Sequence, residues 1–156
     1  MSASKKNIFK VILIGDPCIG KTALANRISK KTFTSHYKAT SGFDMFSAEL
    51  LVGENRNITF NIIDTAGLER YMALTNNFYR GADSVILCFD VTNQASFDNI
   101  DRWKNEFLVA GNPQDPLNYP FVLAATKIDI DSRVVDESRL QRWSQLNNKV
   151  PYVETS

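Results

Sequence analysis

The chain has few of the features that mark secreted, membrane-spanning or nucleic-acid-binding proteins. Its 156 residues include two cysteines and one histidine. Two cysteines cannot form the disulfide framework of a small secreted domain, and both fit a reducing cytosol. The near balance of 18 basic and 17 acidic residues gives no electrostatic reason to expect nucleic acid or an anionic membrane as a partner. Because the longest apolar runs have the length of a strand, we expect neither a signal peptide nor a membrane-spanning helix.

Residues 15–22 are the most informative segment that the chain does contain. They match the phosphate-binding pattern G-x-x-x-x-G-K-[ST], between an apolar run at residues 8–14 and a helix-favouring run at residues 23–28. In that context backbone N–H groups can wrap a β-phosphate, and the helix dipole adds attraction. Lys21 is expected to reach the β- and γ-phosphates, and the Thr22 hydroxyl to ligate Mg²⁺. The alternative is a glycine-containing turn without a ligand.

Apolar runs alternate with helical patterns along the rest of the chain. Residues 85–89 and 121–125 are continuously apolar, as expected for parallel strands buried on both faces. Apolar residues at helical spacing predict helices near 97–110 and 137–147, the second with Leu140, Trp143 and Leu146 on its apolar face. Residues 43–63 predict a hairpin whose second arm is half exposed and near the sheet edge. The sequence therefore predicts one three-layer α/β domain, with a mostly parallel sheet and its ligand at the carboxyl ends of the strands.

Two more motifs follow predicted strands. Asp64 begins the run D-T-A-G, in which the carboxylate can hold Mg²⁺ through water and Gly67 lets a backbone N–H approach a γ-phosphate. Residues 126–129 read T-K-I-D, and the Asp129 carboxylate can accept two N–H bonds from the edge of guanine, which adenine cannot supply. Either motif alone is weak, since a solvated loop carboxylate is the usual alternative. Three motifs in order, each after a predicted strand, indicate a guanine-nucleotide site.

With these motifs, further stretches make the chain resemble the Rab family of small GTPases, in the Ras superfamily, over almost its whole length. These stretches are residues 78–83, 89–93 and 96–99. Residues 37–40, 118–122 and 151–156 look most like the late-endosomal Rab subfamily. The resemblance implies a P-loop NTPase fold of the small-GTPase type, with a six-stranded, mostly parallel sheet and one antiparallel hairpin.

The resemblance also implies a GTP/GDP switch in vesicle trafficking that hydrolyses GTP with Mg²⁺. The implied partners are an exchange factor, a GTPase-activating protein and effectors of Rab type. The implied location is the cytoplasm, peripheral to endosomal or vesicle membranes if the full-length protein is lipidated. Thr40 would close over Mg²⁺ and the γ-phosphate, Phe33 would pack against the guanine, and Lys127 would lie along the base.

The expected site residues fall into three groups. The nucleotide-binding residues are Gly15, Asp16, Pro17, Cys18, Ile19, Gly20, Lys21, Thr22, Ala23, Phe33, Thr40, Gly67, Thr126, Lys127, Asp129, Thr155 and Ser156. The Mg²⁺ residues are Thr22, Thr40 and Asp64. The catalytic positions are Lys21, Thr40, Gly67 and Leu68, the last standing where the family has its catalytic Gln.

Several positions depart from the family pattern. Leu68 cannot orient water, so we expect slow hydrolysis, and Thr126 stands in the place of Asn, so we expect weaker base selection. Pro17 has no N–H to donate, and with Cys18 it occupies positions where the family carries small residues. Of the aromatic residues that Rab proteins present to effectors, Phe78 remains, while Met45 and Ile63 replace the other two.

These departures leave a second function open. The chain could be a pseudo-GTPase, an interaction scaffold whose nucleotide is absent or purely structural. The resemblance further implies that residues 1–156 are a GTPase domain that lacks the family's final helix. We therefore expect an uncovered apolar sheet face, and a longer native product, a second domain or self-association that covers it.

Overall fold

A six-stranded sheet forms the centre of the structure, a computed structural model that describes residues 5–30, 44–65 and 77–156. The strands lie in the order β2-β3-β1-β4-β5-β6. Their bounds are Ile8–Ile14 (β1), Asp44–Val52 (β2), Arg56–Asp64 (β3), Ser84–Asp90 (β4), Phe121–Thr126 (β5) and Tyr152–Glu154 (β6). β2 runs antiparallel to β3, and the other neighbouring strands are parallel. The predicted α/β class, strand number and hairpin are confirmed, with β2 at the edge and β3 next to it.

Besides the helical residues 77–79, four helices connect these strands in the described part of the chain: Lys21–Lys30 (α1), Gln94–Asp98 (α2), Ile100–Gly111 (α3) and Glu137–Leu146 (α4). The single helix expected near 97–110 is in fact two, because the chain turns at Asn99 between α2 and α3. Asn93 caps α2 by accepting a hydrogen bond from the Ser96 N–H, and Asp136 caps α4 in the same way. The placement of Leu146 on the apolar face of α4 was wrong, since this side chain is 76% exposed.

Helices α3 and α4 pack on one face of the sheet. Trp103 and Phe107 from α3, with Leu140 and Trp143 from α4, join a buried cluster with strand residues such as Leu87. The assignment of Trp103 and Phe107 to the core is confirmed. Burying a side chain of this size contributes about 1.5–3 kcal/mol, so this cluster holds the helices against the strands.

The opposite face carries a smaller cluster. Strand residues including Leu13 and Cys88 pack there with Ile19 and with Ala25 of α1. Among the described helices, α1 alone contributes to this cluster. Further along the same face Val122 is only half buried and Val153 is 50% exposed. The face with α1 is therefore covered over β1 and β3 and apolar but open over β5 and β6.

Candidate nucleotide-binding site

The expected site residues lie at one edge of the sheet. β1, β3, β4, β5 and β6 all run in the same direction, so their carboxyl ends meet at this edge. The loop of residues 15–20 follows β1, Asp64 ends β3, Asp90 ends β4 and Thr126 ends β5. Parallel sheets of this kind bind their ligands at that edge.

Two glycines give the loop after β1 its shape. A Cβ at Gly15 would lie 2.3 Å from the Cys88 carbonyl oxygen, so no other residue fits against β4 there. Gly20 has φ +99°, a left-handed conformation that side chains disfavour, and it lies against the Thr126 side chain. Between them Cys18 has φ 62° although it is not glycine. Pro17 and Cys18 are exposed, whereas Ile19 is 1% exposed.

Lys21 lies under this loop at the first residue of α1. Its side chain is buried, and its Nζ donates to the carbonyl oxygens of Gly15 at 2.9 Å and Asp16 at 2.6 Å. Burial lowers the pKa of Lys21 below its usual 10.5, and nearby acidic groups, Asp64 among them, offset part of that effect. The chain thus holds a cation beneath a loop of backbone groups at a helix N-terminus, which is the chemistry of an anion site.

The oxygen ligands expected for Mg²⁺ are adjacent. Asp64 is fully buried, and its Oδ2 accepts a hydrogen bond from Thr22 Oγ1. Thr65 Oγ1 donates to the Leu13 carbonyl oxygen at 2.8 Å, which fixes the chain beyond β3 against β1. A carboxylate and a hydroxyl in contact are a fitting pair of oxygen donors for Mg²⁺, which takes one or two protein oxygens and keeps waters.

The loop after β5 is joined to the loop after β1. Thr126 Oγ1 lies within hydrogen-bond distance of the Ile19 carbonyl oxygen and, at 3.0 Å, of the Phe89 carbonyl oxygen. Lys127, with φ 62°, donates from Nζ to the Cys18 carbonyl oxygen at 2.8 Å. At the position where the family has Asn, the Thr126 hydroxyl is therefore bonded to the phosphate loop.

Asp90 is a site residue that the sequence motifs did not identify. Its Oδ2 lies 2.8 Å from Lys127 Nζ, and its Oδ1 accepts from the Thr92 N–H and hydroxyl. Although partial burial acts to raise it, these hydrogen bonds from Lys127 and Thr92 hold the pKa of Asp90 below its usual 3.8. Two signals were available: the position of Asp90 at the end of an apolar strand, and its place in the Rab-like stretch of residues 89–93.

The remaining expected residues differ in how far the structure describes them. Asp129 is exposed and makes no hydrogen bond with its carboxylate within the described ranges. Thr155 donates its N–H to the Ala125 carbonyl oxygen at 2.8 Å, whereas no hydrogen bond between described residues uses the Ser156 N–H. Ala23 is half buried in the first turn of α1. Phe33, Thr40, Gly67 and Leu68 lie outside the described residues.

Comparison with known proteins identifies the family of this chain. The model of the Ras family matches residues 10–156. The whole chain aligns at 47% identity with Ras-related protein Rab7 of Drosophila melanogaster and covers 75% of it. It also aligns in full, at 46% identity, with Ras-related protein Rab-7a of Dictyostelium discoideum and with the Ypt/Rab-type GTPase ypt7 of Pyricularia oryzae, covering 77% of each. The chain belongs to the Ras family of small GTPases, and its resemblance to the Rab proteins is confirmed.

Family membership confirms the expected class of enzyme. The chain is a small GTPase of Rab type, and Rab GTPases are switches in vesicle trafficking. Members of the Ras family bind guanine nucleotide and Mg²⁺ and interact with exchange factors, GTPase-activating proteins and effectors. No helix among the described residues is long and apolar enough to cross a membrane.

Proposed function

We propose that this chain binds Mg·GTP and GDP at the edge formed by the loops after β1, β3 and β5, and that it hydrolyses GTP slowly. The observation that carries the proposal is the buried Lys21 ammonium beneath the glycine loop, beside the contact between Thr22 and Asp64. Such a cation is costly to bury without anionic or carbonyl partners, and phosphate oxygens would complete its set of hydrogen-bond acceptors.

Each loop has a separate task in this proposal. The N–H groups of residues 18–22 and Lys21 hold the β- and γ-phosphates, and Thr22 and Asp64 hold Mg²⁺, which would neutralise phosphate charge when bound. Asp129 accepts the N–H groups of guanine, and its exposed carboxylate is open to a ligand. The Ser156 N–H donates to the guanine carbonyl, because the Thr155 N–H is already bonded to the Ala125 carbonyl oxygen. Phe33, Thr40 and Gly67 take the roles that the family motif gives them.

Slow hydrolysis follows from the side chain at position 68. A leucine has neither donor nor acceptor with which to orient the attacking water, whereas the family uses Gln at this position. Family members without a partner turn over at about 10⁻⁴ s⁻¹, and the loss of a positioned group commonly costs about 10²-fold. We therefore expect the wild-type rate to fall well below the family rate.

Single-turnover hydrolysis of bound GTP tests this part of the proposal. Leu68→Gln should raise the rate by about 10²-fold, because the amide can both donate to and accept from water. Leu68→Met, which has similar volume and no such group, is the matched control and should leave the rate unchanged. A wild-type protein that already hydrolyses GTP at about 10⁻⁴ s⁻¹ would contradict the proposal.

Two observations favour a pseudo-GTPase as the second candidate. Pro17 cannot donate an N–H in the phosphate loop, and the single Thr126 hydroxyl is engaged with loop and strand carbonyl oxygens. In this case the domain would serve as an interaction scaffold. The intact Lys21, Thr22 and Asp64 favour the enzyme, and co-purified nucleotide distinguishes the two.

The proposed partners are an exchange factor, a GTPase-activating protein and effectors of Rab type, reached on endosomal or vesicle membranes through a lipidated part of the full-length protein. At the expected effector surface Met45 is 60% exposed, Ile63 is buried and Phe78 is half buried. The surface is therefore less aromatic than the family pattern. We also propose that residues 1–156 belong to one GTPase domain, and that a further helix, a second domain or a second copy covers the exposed Val153 face.

A further inference from the structure

The Asp16 carboxylate in the phosphate loop is held by three side chains at the start of α3. Asn99 Nδ2 donates to Asp16 Oδ2 at 2.8 Å, and Trp103 Nε1 donates to Asp16 Oδ1 at 2.8 Å. The Arg102 guanidinium lies 3.7 Å from Asp16 Oδ1. Residues more than 80 positions apart in sequence thereby join the loop to the helix, and we call this group the Asp16 clamp.

Two of the donors, Asn99 and Trp103, make no other hydrogen bond with these side-chain N–H groups among the described residues. Asn99 precedes α3, yet its side chain makes no capping hydrogen bond to that helix. The Trp103 ring is 3% exposed in the core, where an indole N–H without an acceptor would be unfavourable. The Arg102 guanidinium lies 5.1 Å from the Trp103 ring centroid and also pairs with Glu106. The start of α3 is thus arranged around one carboxylate of the phosphate loop.

The clamp bears directly on an anion site. A carboxylate in a loop that receives phosphate would repel it, and hydrogen bonds to α3 keep this charge turned toward donors of its own. The backbone carbonyl of the same Asp16 accepts a hydrogen bond from Lys21 Nζ at 2.6 Å. One residue therefore links α3 through its side chain to the phosphate-binding lysine through its backbone.

We propose that Asn99, Arg102 and Trp103 are positioning residues that fix the phosphate loop through Asp16 and so slow the release of bound nucleotide. The proposal rests on the nucleotide binding proposed above. It ties nucleotide retention to the side-chain contacts with Asp16 rather than to α3 as a whole. The three residues act on the loop without contact to the nucleotide itself.

Two variants break the clamp and one serves as the matched control. Trp103→Phe keeps the ring but removes the indole N–H, and Asn99→Ala removes the amide without removing a helix cap. Trp143→Phe is the control for the loss of a buried indole N–H, because Trp143 Nε1 donates to Asp101 at 2.9 Å, a carboxylate in the same turn of α3 that is not part of the loop. Thermal unfolding of each variant separates loss of stability from loss of positioning.

The measurement is the dissociation rate of fluorescent GDP. Trp103→Phe and Asn99→Ala should each release GDP about tenfold faster, as the loss of one hydrogen bond to a charged group predicts, while Trp143→Phe matches wild type. Asp16→Ala should be as fast as the double variant Asp16→Ala/Trp103→Phe, and Asp16→Asn, which keeps one of the two acceptor oxygens, should release GDP at a rate between those of Asp16→Ala and wild type. Amide hydrogen exchange in nucleotide-free protein should accelerate at residues 15–20 in Trp103→Phe and Asn99→Ala but not in Trp143→Phe.

Equal dissociation rates and equal exchange in Trp103→Phe and Trp143→Phe would overturn the clamp while leaving nucleotide binding intact. Additive effects of Asp16→Ala and Trp103→Phe would also overturn it, because the two changes would then act separately. A wild-type protein that binds no GDP would overturn the proposed function, and the role of the clamp in retention with it.

Discussion

The phosphate loop of residues 15–20 and the proposed guanine loop of residues 126–129 lie side by side. They differ in how far their side chains are buried and bonded within the chain itself. In the phosphate loop Ile19 and the underlying Lys21 are buried, and the Lys21 ammonium is bonded to loop carbonyl oxygens. In the guanine loop the Lys127 side chain is 33% exposed, and Asp129 is exposed without a partner among the described residues. The proposed anion half of the site is therefore built in advance, whereas in the proposed base half the Asp129 carboxylate is left open to a ligand.

The two loops also share a backbone feature and a junction. Cys18 and Lys127 both have φ 62°, a left-handed conformation that costs a residue with a Cβ about 1–2 kcal/mol. The Lys127 side chain contacts both Asp90 and the Cys18 carbonyl oxygen. The strained backbone conformation at Lys127 therefore occurs together with two stabilising side-chain contacts. The exposed Cys18 side chain has no such contact among the described residues. The junction itself is the Thr126 hydroxyl, which reaches Ile19.

Of the variants considered, Lys21→Ala should have the largest effect, a loss of nucleotide binding by the phosphate half of the site. It removes a buried, charge-assisted contact, so we expect the affinity for fluorescent GDP to fall by at least about 10²-fold. Titration of wild type and variant measures the change. Lys5→Ala removes the same charge from an exposed position and should bind as wild type does. Equal affinities of Lys21→Ala and wild type would refute the site assignment.

Thr126→Val should break the junction between the loops. It keeps the shape of the side chain but leaves the buried Ile19 and Phe89 carbonyl oxygens without this donor, at a cost of about 1–3 kcal/mol. We expect GDP affinity to fall by about tenfold. Thr126→Ser, which keeps the hydroxyl, should bind nearly as wild type does. Thr126→Asn should tighten GDP binding, because the longer amide side chain can reach the base as well as the loop. Weaker binding by this variant would show that the contact of the Thr126 hydroxyl with the loop contributes more than the added contact with the base.

Cys18→Gly should have the smallest effect. It compares the backbone strain at Cys18 with that at Lys127. Glycine accepts φ 62° without a Cβ penalty but has more freedom when unfolded, so we expect a net stabilisation of about 0.5–1 kcal/mol. Lys127→Gly should instead destabilise the domain, because it removes the ion pair with Asp90. Urea unfolding measures both, with Cys18→Ala as the control that keeps the Cβ. No gain of Cys18→Gly over Cys18→Ala would contradict this account of the loop.

The sequence predicted the fold and the position of the motifs because both depend on local pattern. β1 matches the expected run of residues 8–14, and β4 and β5 extend the expected runs by one residue or two. The motifs follow strands, so a parallel sheet necessarily brings them to one edge. Residue types at fixed spacing carry this information without any tertiary detail.

Contacts between distant residues could not be predicted in this way. Periodicity places Trp103 in the core but does not reveal that its N–H reaches Asp16, 87 positions earlier. The pairing of Asp90 with Lys127 likewise depends on the register of β4 against β5, in which Asp90 lies beside Thr126. Leu146 is apolar and at helical spacing, yet it ends α4 where nothing covers it. Each case depends on what packs nearby, which spacing alone does not contain.

The most direct test of the central claim is the nucleotide content of the purified protein. The protein is denatured, and the supernatant is resolved by ion-exchange chromatography. The account predicts GDP or GTP in an amount comparable to that of the protein, since a built phosphate loop retains its ligand through purification. An empty protein that also takes up no GDP after Mg²⁺ is chelated would contradict it.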